Sequence, residues 1–504
     1  MRRLPEPPLG LVVFVVGVSI LGAEIAAARL LAPYFGASTI VWANTIGIVL
    51  VALSAGYWYG GRLADRDPTY AGLYRIVLLS GLLLAAVPFA ARPFLGAAVQ
   101  ALDSISAGAF VGSLLGVTAL VAVPVLVSGA VAPYALRLAV ADVEHAGTVA
   151  GRLYAISTAG SLLGTFLSAL LLIPLIGTRR TFIVFGLALV LIAVAGLARR
   201  RLLLAPAVLV VALALPVGTV KGETGSGARV IHEADTEYQY ARVVEDRAGT
   251  RRLELNEGHA VHSVLRPGSY LTDDYWDEML VLPFAAFGQP PRSIAILGNA
   301  AGTTARAYGH YFPRTAVDGV EIDGELTAIG RRYFDLHGPR LRTHTADARP
   351  YLRRTRARYD AIVVDAYRQP YIPFYLATKE FFELARDRLR PGGVVLINVG
   401  HPERSSRLER VLGATLASVF GTVLRDASQP TNTILLATAG GASAAGLERA
   451  ARGLPAQLRP LARAAAARLQ PRLPGGRVYT DDVAPVEWLI DTSIVQVAAD
   501  GERR

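Results

Sequence analysis

Ser293-Ile294-Ala295-Ile296-Leu297-Gly298-Asn299-Ala300-Ala301-Gly302-Thr303 opens the part of this chain that decides its fold. An apolar run of strand length enters a loop bounded by two glycines, and a helix-forming stretch follows to about Tyr311. The pattern then repeats. Ala316 to Val320 reads as a strand ending in Glu321-Ile322-Asp323, with a helix over 325–334. Arg342 to Thr345 leads to Asp347-Ala348 and a helix near 349–354. Ala361 to Val364 ends at Asp365, and Val394 to Val399 follows the Pro391-Gly392-Gly393 turn. Strands alternating with helices predict a parallel sheet covered on both faces.

In such sheets a ligand lies beyond the carboxyl ends of the strands, where the chemistry-bearing residues of this stretch fall. Gly298 and Gly302 let the backbone turn tightly and approach a ligand. A carboxylate at Glu321 can accept from both hydroxyls of a ribose. Asp347 can accept from an adenine amino group, with Ala348 leaving room for the ring. Ordinary turn residues would not place two acids at successive strand ends.

Upstream, the composition changes. Residues 1–220 hold 14 Arg, no Lys and 7 acids; the remainder holds 37 basic and 33 acidic residues. The chain has 504 residues, is 52% hydrophobic and lacks cysteine, with a net charge of +11. This excludes a fully soluble enzyme, a disordered chain, a disulfide-stapled domain and a cysteine-ligated metal site. Apolar runs at 9–31, 40–61, 73–91, 109–131, 154–177, 180–198 and 202–218 predict about seven membrane helices, the last two near the lower length limit. The first run is too long, and too closely followed by others, to be a cleaved leader alone. Flanking Arg residues place the N-terminus in the cytoplasm. Seven spans would then put residues 221–504 outside, whereas an adenosyl-nucleoside enzyme belongs inside. The chemistry outweighs the count, so the expectation is a multi-pass protein of the inner cell membrane with a cytoplasmic catalytic half. Glu24 is expected to pair with Arg29 or a neighbouring helix, or else to handle a cation. Gly151, Ser157, Gly160 and Gly164 suggest close helix packing.

The expected organisation is a transmembrane region over 1–220 and a small β region over 221–285. An α/β domain over 286–440 and a helical segment with an acidic closing turn over 441–504 complete it. Residues 440–475 read as a helical or flexible surface segment. The turn at 479–488 is either solvated or closes over the site. The histidines lack metal-ligand spacing, so no metal is assigned. The 49 Arg form no cluster interleaved with aromatics, which argues against nucleic acid as a partner.

Together these motifs resemble the spermidine synthase (polyamine aminopropyltransferase) family, in the bacterial form fused to a multi-span membrane region. The likeness covers about residues 232–400 by motif. It implies a Rossmann-like fold of the class I methyltransferase type. It also implies an aminopropyl group moved from decarboxylated S-adenosylmethionine to an amine such as putrescine. By this resemblance Tyr238-Gln239 matches a pair whose Gln contacts the nucleoside, Glu321 holds the ribose, and Asp347-Ala348 contacts adenine. Asp365 matches the catalytic acid, and Pro370 or Pro373 a pocket proline. A homodimer is a further expectation, with the lipid bilayer and a small amine as the other partners.

Asp365 would accept a proton from the amine and orient its nitrogen; its alternative role is to cap a helix. The amine side departs from the family. Ala301 and Arg368 stand where the family has acids, and the aromatic-acid motif becomes Trp276-Asp277-Glu278-Met279, with Tyr275 one residue early. Two readings follow. Arg368 binds the carboxylate of intact S-adenosylmethionine, giving methyl or aminocarboxypropyl transfer. Otherwise it faces solvent, and Asp273, Asp274, Asp277 or Glu278 holds the amine. Tyr238, Tyr275, Asp277 and Arg368 are the candidate substrate contacts. The non-enzyme alternative is a transporter or sensor that binds nucleoside without turnover.

Overall fold

The computed structural model describes residues 7–35, 39–102, 108–197, 200–214, 227–256, 261–367, 371–403, 405–490 and 493. The chain divides into two units. The first is Met1–Glu223 with Asp235–Tyr240, and the second is Thr224–Ala234 with Ala241–Arg504.

The first unit is helical. Six stretches among the described residues are long and apolar enough to cross a membrane: Leu9–Ala32, Val41–Arg66, Tyr70–Ala91, Val111–Ala139, Ala146–Leu172 and Leu175–Leu197. The seventh expected span, 202–218, lies only partly within the described residues. Leu204–Ala214 has 11 residues, roughly 16 Å against a hydrocarbon core of roughly 30 Å. Leu9–Phe35 packs along Ala146–Leu167 at backbone contact: a Cβ on Gly160 would lie 2.3 Å from the Phe14 carbonyl oxygen, and one on Gly164 2.0 Å from that of Val18. Gly151 faces open space and takes no part. Glu24 and Arg29 do not pair. Five residues along a helix is about 140° around it, so the two side chains leave on different faces. Arg29 pairs instead with Asp235 at 3.3 Å, and no hydrogen bond or ion pair reaches Glu24 among the described residues.

The second unit contains two sheets. A four-stranded sheet runs in the order β1 (Arg229–Asp235), β2 (Tyr240–Glu245), β3 (Arg251–Leu255), β4 (Val261–Leu265). The larger sheet is built from β5 (Ser293–Leu297), β6 (Ala316–Glu321), β7 (Leu341–Thr345), β8 (Tyr359–Val364), β9 (Leu389–Gly400), β10 (Thr422–Asp426), β11 (Asn432–Thr438) and β12 (Gln470–Pro471). Its order is β12-β10-β11-β9-β8-β5-β6-β7. Strands β5 to β9 are parallel, whereas β11, β10 and β12 extend the β9 edge antiparallel. The expected parallel sheet is therefore mixed, with the Rossmann-like part confined to five strands.

Alternation along each central strand explains why the sheet is buried on both faces. Ile362, Val364, Val395 and Ile397 enter one apolar core, and Ala361, Val363, Val394 and Leu396 the other. Each larger member contributes about 1.5–3 kcal/mol of burial. Helices Ala444–Ala451 and Leu458–Arg468 seal the second core through Leu447, Leu458, Ala462 and Ala465, all fully buried. The segment expected to be helical or flexible at the surface is thus helical, with one face buried against the core because its leucines and alanines recur at helical spacing, and its other residues exposed or half-buried.

Candidate active site

The exits of β5 and β8 meet at Gly298. Its φ is +85°, and a Cβ there would lie 2.5 Å from both Ala366 Cα and the Asp365 carbonyl oxygen. Only glycine meets both conditions. Asp365 donates its N–H to Leu297 at 2.8 Å, so the loop and the acid are held together. Gly298→Ala is expected to cost about 2 kcal/mol or more, from the left-handed backbone and the contact with chain atoms. Calorimetry should show melting lowered by roughly 5 °C and weaker nucleoside binding. Gly302, at φ +91°, ends the loop and begins the helix Thr303–Tyr311.

Glu321 closes β6. One carboxylate oxygen accepts from Ala300 N–H at 2.8 Å and the other from Asp323 N–H at 3.0 Å. An ionised carboxylate offers about four acceptor positions, so each oxygen keeps room for one more donor. Burial pushes the Glu321 carboxyl up to about 7, with the two N–H groups opposing. Asp347 follows β7 and caps the helix Ala348–Arg354, accepting from Arg349 N–H at 2.9 Å and from the Tyr375 hydroxyl at 2.8 Å. Ala348 is buried beside it.

Asp365 caps no helix. Its Oδ1 accepts from Asn398 Nδ2 at 2.9 Å; its Oδ2 accepts from Trp276 Nε1 at 3.1 Å and the Tyr275 hydroxyl at 3.3 Å. Asn432 Nδ2 in turn donates to Asn398 Oδ1 at 2.9 Å. Because an ionised carboxylate only accepts, the Asn398 amide presents its NH2 to Asp365 and its oxygen to Asn432. Tyr367 braces the same strand end, donating to the Asn398 carbonyl at 2.8 Å and accepting from Gly400 N–H at 2.6 Å. Burial is the main cause that pushes the Asp365 carboxyl up to about 7, and the charge of Asp274 adds to it. Asp365 as a whole residue is half-buried.

The other expected residues are placed differently. Asp277 is turned into its own loop, where its carboxylate accepts from Thr272 N–H and hydroxyl at 2.9 Å and from Asp273 N–H at 2.8 Å. Glu278 pairs with Arg468 at 3.1 Å. Arg368 and Pro370 lie outside the described residues. Pro373 precedes the short helix Phe374–Leu376 and accepts from Leu376 N–H at 2.9 Å. Tyr238 and Gln239 lie in the β1–β2 turn, which belongs to the helical unit; their N–H groups donate to Thr236 Oγ1 at 3.1 and 3.0 Å. In the acidic turn, Asp481 forms a two-bond pair with Arg349 at 2.7 and 2.6 Å and accepts from the Thr378 hydroxyl at 2.8 Å. Its carboxylate is committed to that anchor. No group of three or more His, Asp or Glu among the described residues is arranged to hold a metal.

Trp276 and Asn398 escaped the sequence reading as contacts of Asp365, and Asn432 as the donor that orients Asn398. The one signal for Asn398 is an amide inside the apolar run Val394–Val399, since a buried polar group requires partners.

Residues 274–435 match the family model described as the spermine/spermidine synthase domain. A probable polyamine aminopropyl transferase of Bifidobacterium longum is 31% identical over 289 residues, covering 53% of this chain and 64% of that protein. A polyamine aminopropyltransferase of Vibrio vulnificus is 35% identical over 139 residues, covering 27% and 46%. The chain therefore spans less than two thirds of either relative. A crystal structure of a probable spermidine synthase from Corynebacterium glutamicum shares 22% identity at a TM-score of 0.41, covering 51% of this chain and 98% of that one. Through residues 274–435, the chain is similar to the spermine/spermidine synthase domain.

Proposed function

We propose that this protein is a membrane-bound aminopropyltransferase that moves the aminopropyl group of decarboxylated S-adenosylmethionine to an amine such as putrescine. The observation that carries this reading is Asp365, a half-buried acid pushed up to about 7 and oriented by three side-chain donors at a strand exit.

The sulfonium of the donor is a good leaving group, so the protein's task is to position the amine and take its proton. The amine nitrogen attacks the carbon beside sulfur, the carbon–sulfur bond breaks onto sulfur, and methylthioadenosine leaves. Asp365 receives the proton that the amine loses. An alkylammonium titrates near 10.4, so transfer to an ordinary carboxylate is uphill by roughly 9 kcal/mol. With Asp365 near 7 the step is uphill by roughly 5 kcal/mol. The three donors keep the acceptor oxygens fixed while this happens. On the donor side, the open acceptor positions of Glu321 suit the two ribose hydroxyls, and Asp347 with Ala348 suits adenine.

Six long apolar helices and exposed Leu162, Phe166, Leu170 and Leu175 support insertion in a bilayer. The six candidate spans among the described residues are an even number, which leaves the chain before the first and after the last on the same side. With the Arg bias placing the N-terminus inside, the catalytic half is cytoplasmic.

The test uses full-length protein in detergent with each donor in turn. Decarboxylated donor plus putrescine is expected to release methylthioadenosine at a rate proportional to enzyme. Release of S-adenosylhomocysteine from intact donor, with nothing from the decarboxylated form, overturns the proposal.

A further inference from the structure

The acidic turn over 479–488 lies beyond residues 274–435, the stretch that matches the family model. Tyr479, Val486 and Ile490 anchor it, each buried in the core that also holds Ile362 and Val364. Between these anchors the turn is tied to the start of the helix Lys379–Asp387. Lys379 N–H, one of the donors that a helix leaves open in its first turn, donates to the Tyr479 carbonyl at 2.8 Å. Asp481 N–H donates to the Glu380 carboxylate at 2.9 Å. Thr378, which caps that helix, donates its hydroxyl to the Asp481 carboxylate at 2.8 Å.

These ties hold Asp481 against Arg349, whose side chain is 10% exposed. Of the three side-chain hydrogen bonds that Arg349 makes among the described residues, two go to Asp481, at 2.7 and 2.6 Å, and one to the Tyr375 carbonyl at 3.2 Å. Tyr375 in turn donates its hydroxyl to Asp347 Oδ2 at 2.8 Å, while Oδ1 accepts from Arg349 N–H at 2.9 Å. The chain of contacts thus closes on the acid suited to adenine. With one donor on each oxygen, the Asp347 carboxylate keeps one acceptor position open on each. A base that brings an amino group there gains a hydrogen bond, and one that brings a carbonyl oxygen meets a negative charge.

We propose that Asp481 is a positioning residue for base recognition: acting through Arg349 and Tyr375, the C-terminal turn fixes the Asp347 carboxylate so that the site selects a 6-aminopurine nucleoside over its 6-oxo counterpart. Asp481 touches no ligand in this arrangement. It sets the direction of the Arg349 guanidinium, and the guanidinium holds the backbone of the single turn Phe374–Leu376 from which Tyr375 reaches Asp347. Without Asp481, Arg349 keeps only the Tyr375 carbonyl as its acceptor. The charges of Glu380 and Asp347 also act on Arg349, so the released guanidinium is drawn toward the very acid that must stay open. This inference rests on the nucleoside side of the aminopropyl-transfer reading and deepens it.

Calorimetry with full-length protein in detergent compares methylthioadenosine with methylthioinosine, which carries a 6-oxo group in place of the amino group. Wild type is expected to favour methylthioadenosine at least tenfold. Asp481→Asn should weaken methylthioadenosine at least tenfold and methylthioinosine less than threefold, and Asp481→Glu should recover part of the loss. Tyr375→Phe should reproduce the selective loss. Adding it to Asp481→Asn should cost less than a further threefold, because both act through one chain of contacts. A turn that only stabilises the fold would weaken both nucleosides alike. That outcome overturns the proposal, as do undiminished selectivity in Asp481→Asn and fully additive effects of the two substitutions. The readout needs no turnover. Selective loss in Asp481→Asn supports the assignment even where the decarboxylated donor releases no methylthioadenosine, a result that would sink the transfer reading alone.

Discussion

Asp365→Asn should lower methylthioadenosine release about 10³-fold while nucleoside affinity stays within a few-fold of wild type. The substitution preserves size and leaves Asn398, Trp276 and Tyr275 in place, but an amide cannot take a proton from the bound ammonium. Loss of a positioned general base removes roughly 10²–10⁴ in rate. The pH dependence supplies an independent check. Asp365 acts in its ionised form, and its carboxyl is pushed up to about 7 by burial. Wild-type kcat/KM should therefore fall about tenfold per pH unit below roughly 7, and rise to a plateau above it. An acid limb near 4 would mean that the acid is solvated and that another group takes the proton. The Asp365→Asn protein should retain little activity and lack this limb altogether.

Glu321→Gln should weaken methylthioadenosine binding about 100-fold, measured by calorimetry at pH 8. Two hydrogen bonds to an ionised carboxylate are worth roughly 1.5–3 kcal/mol each, and the amide keeps only part of that. Glutamine also turns an NH2 toward either Ala300 N–H or Asp323 N–H, leaving one buried donor without an acceptor. Stability should change far less than binding. The folded-state pKa of Glu321 is raised from 4.5 to about 7. Its favourable contribution is therefore present below about 4.5 and lost as pH rises through about 7. At pH 8 the substitution removes a buried charge that was already opposing the fold, which offsets the unpaired N–H. A collapse of the melting temperature at pH 8 would show that Glu321 holds the loop rather than a ligand.

The fold was legible where burial and backbone geometry leave a periodic trace. Runs such as Ile294–Leu297 and Ile362–Val364 are apolar at every position because both faces of the sheet are covered. Their ends are marked by Gly298 and Asp365, where the chain leaves the core. The strands β10 and β12 were missed because they are short and polar residues interrupt them, and β11 because its single apolar run Ile434–Ala437 carries no sign of which strands it joins. The helices within 440–475 were legible as helical surface, but their buried face was not, because alanine carries little hydrophobic contrast although it packs densely once folded.

The acids at the strand ends could be read from their positions. The direction in which a turn residue points could not. Asp274 and Asp277 are three residues apart, yet one keeps an available carboxylate and the other is consumed by its own loop. Tyr275 and Trp276 both reach Asp365, although adjacent side chains in a strand or helix would diverge. The irregular turn over 271–277 makes that convergence feasible, and no sequence period describes such a turn. Asn398 met a different obstacle: its role depends on Asn432, which is brought alongside by the β9–β11 pairing.

That pairing has an evolutionary consequence. The groups suited to the nucleoside are fixed by β5, β6 and β7. The orientation of the proton acceptor depends on β9 and, through Asn432, on the antiparallel extension. On the proposed reading, donor recognition and reactivity reside in different halves of one sheet and can drift at different rates. A lineage that altered β11 would keep its appetite for the nucleoside while losing turnover. Such a protein would have become a receptor for the same small molecule.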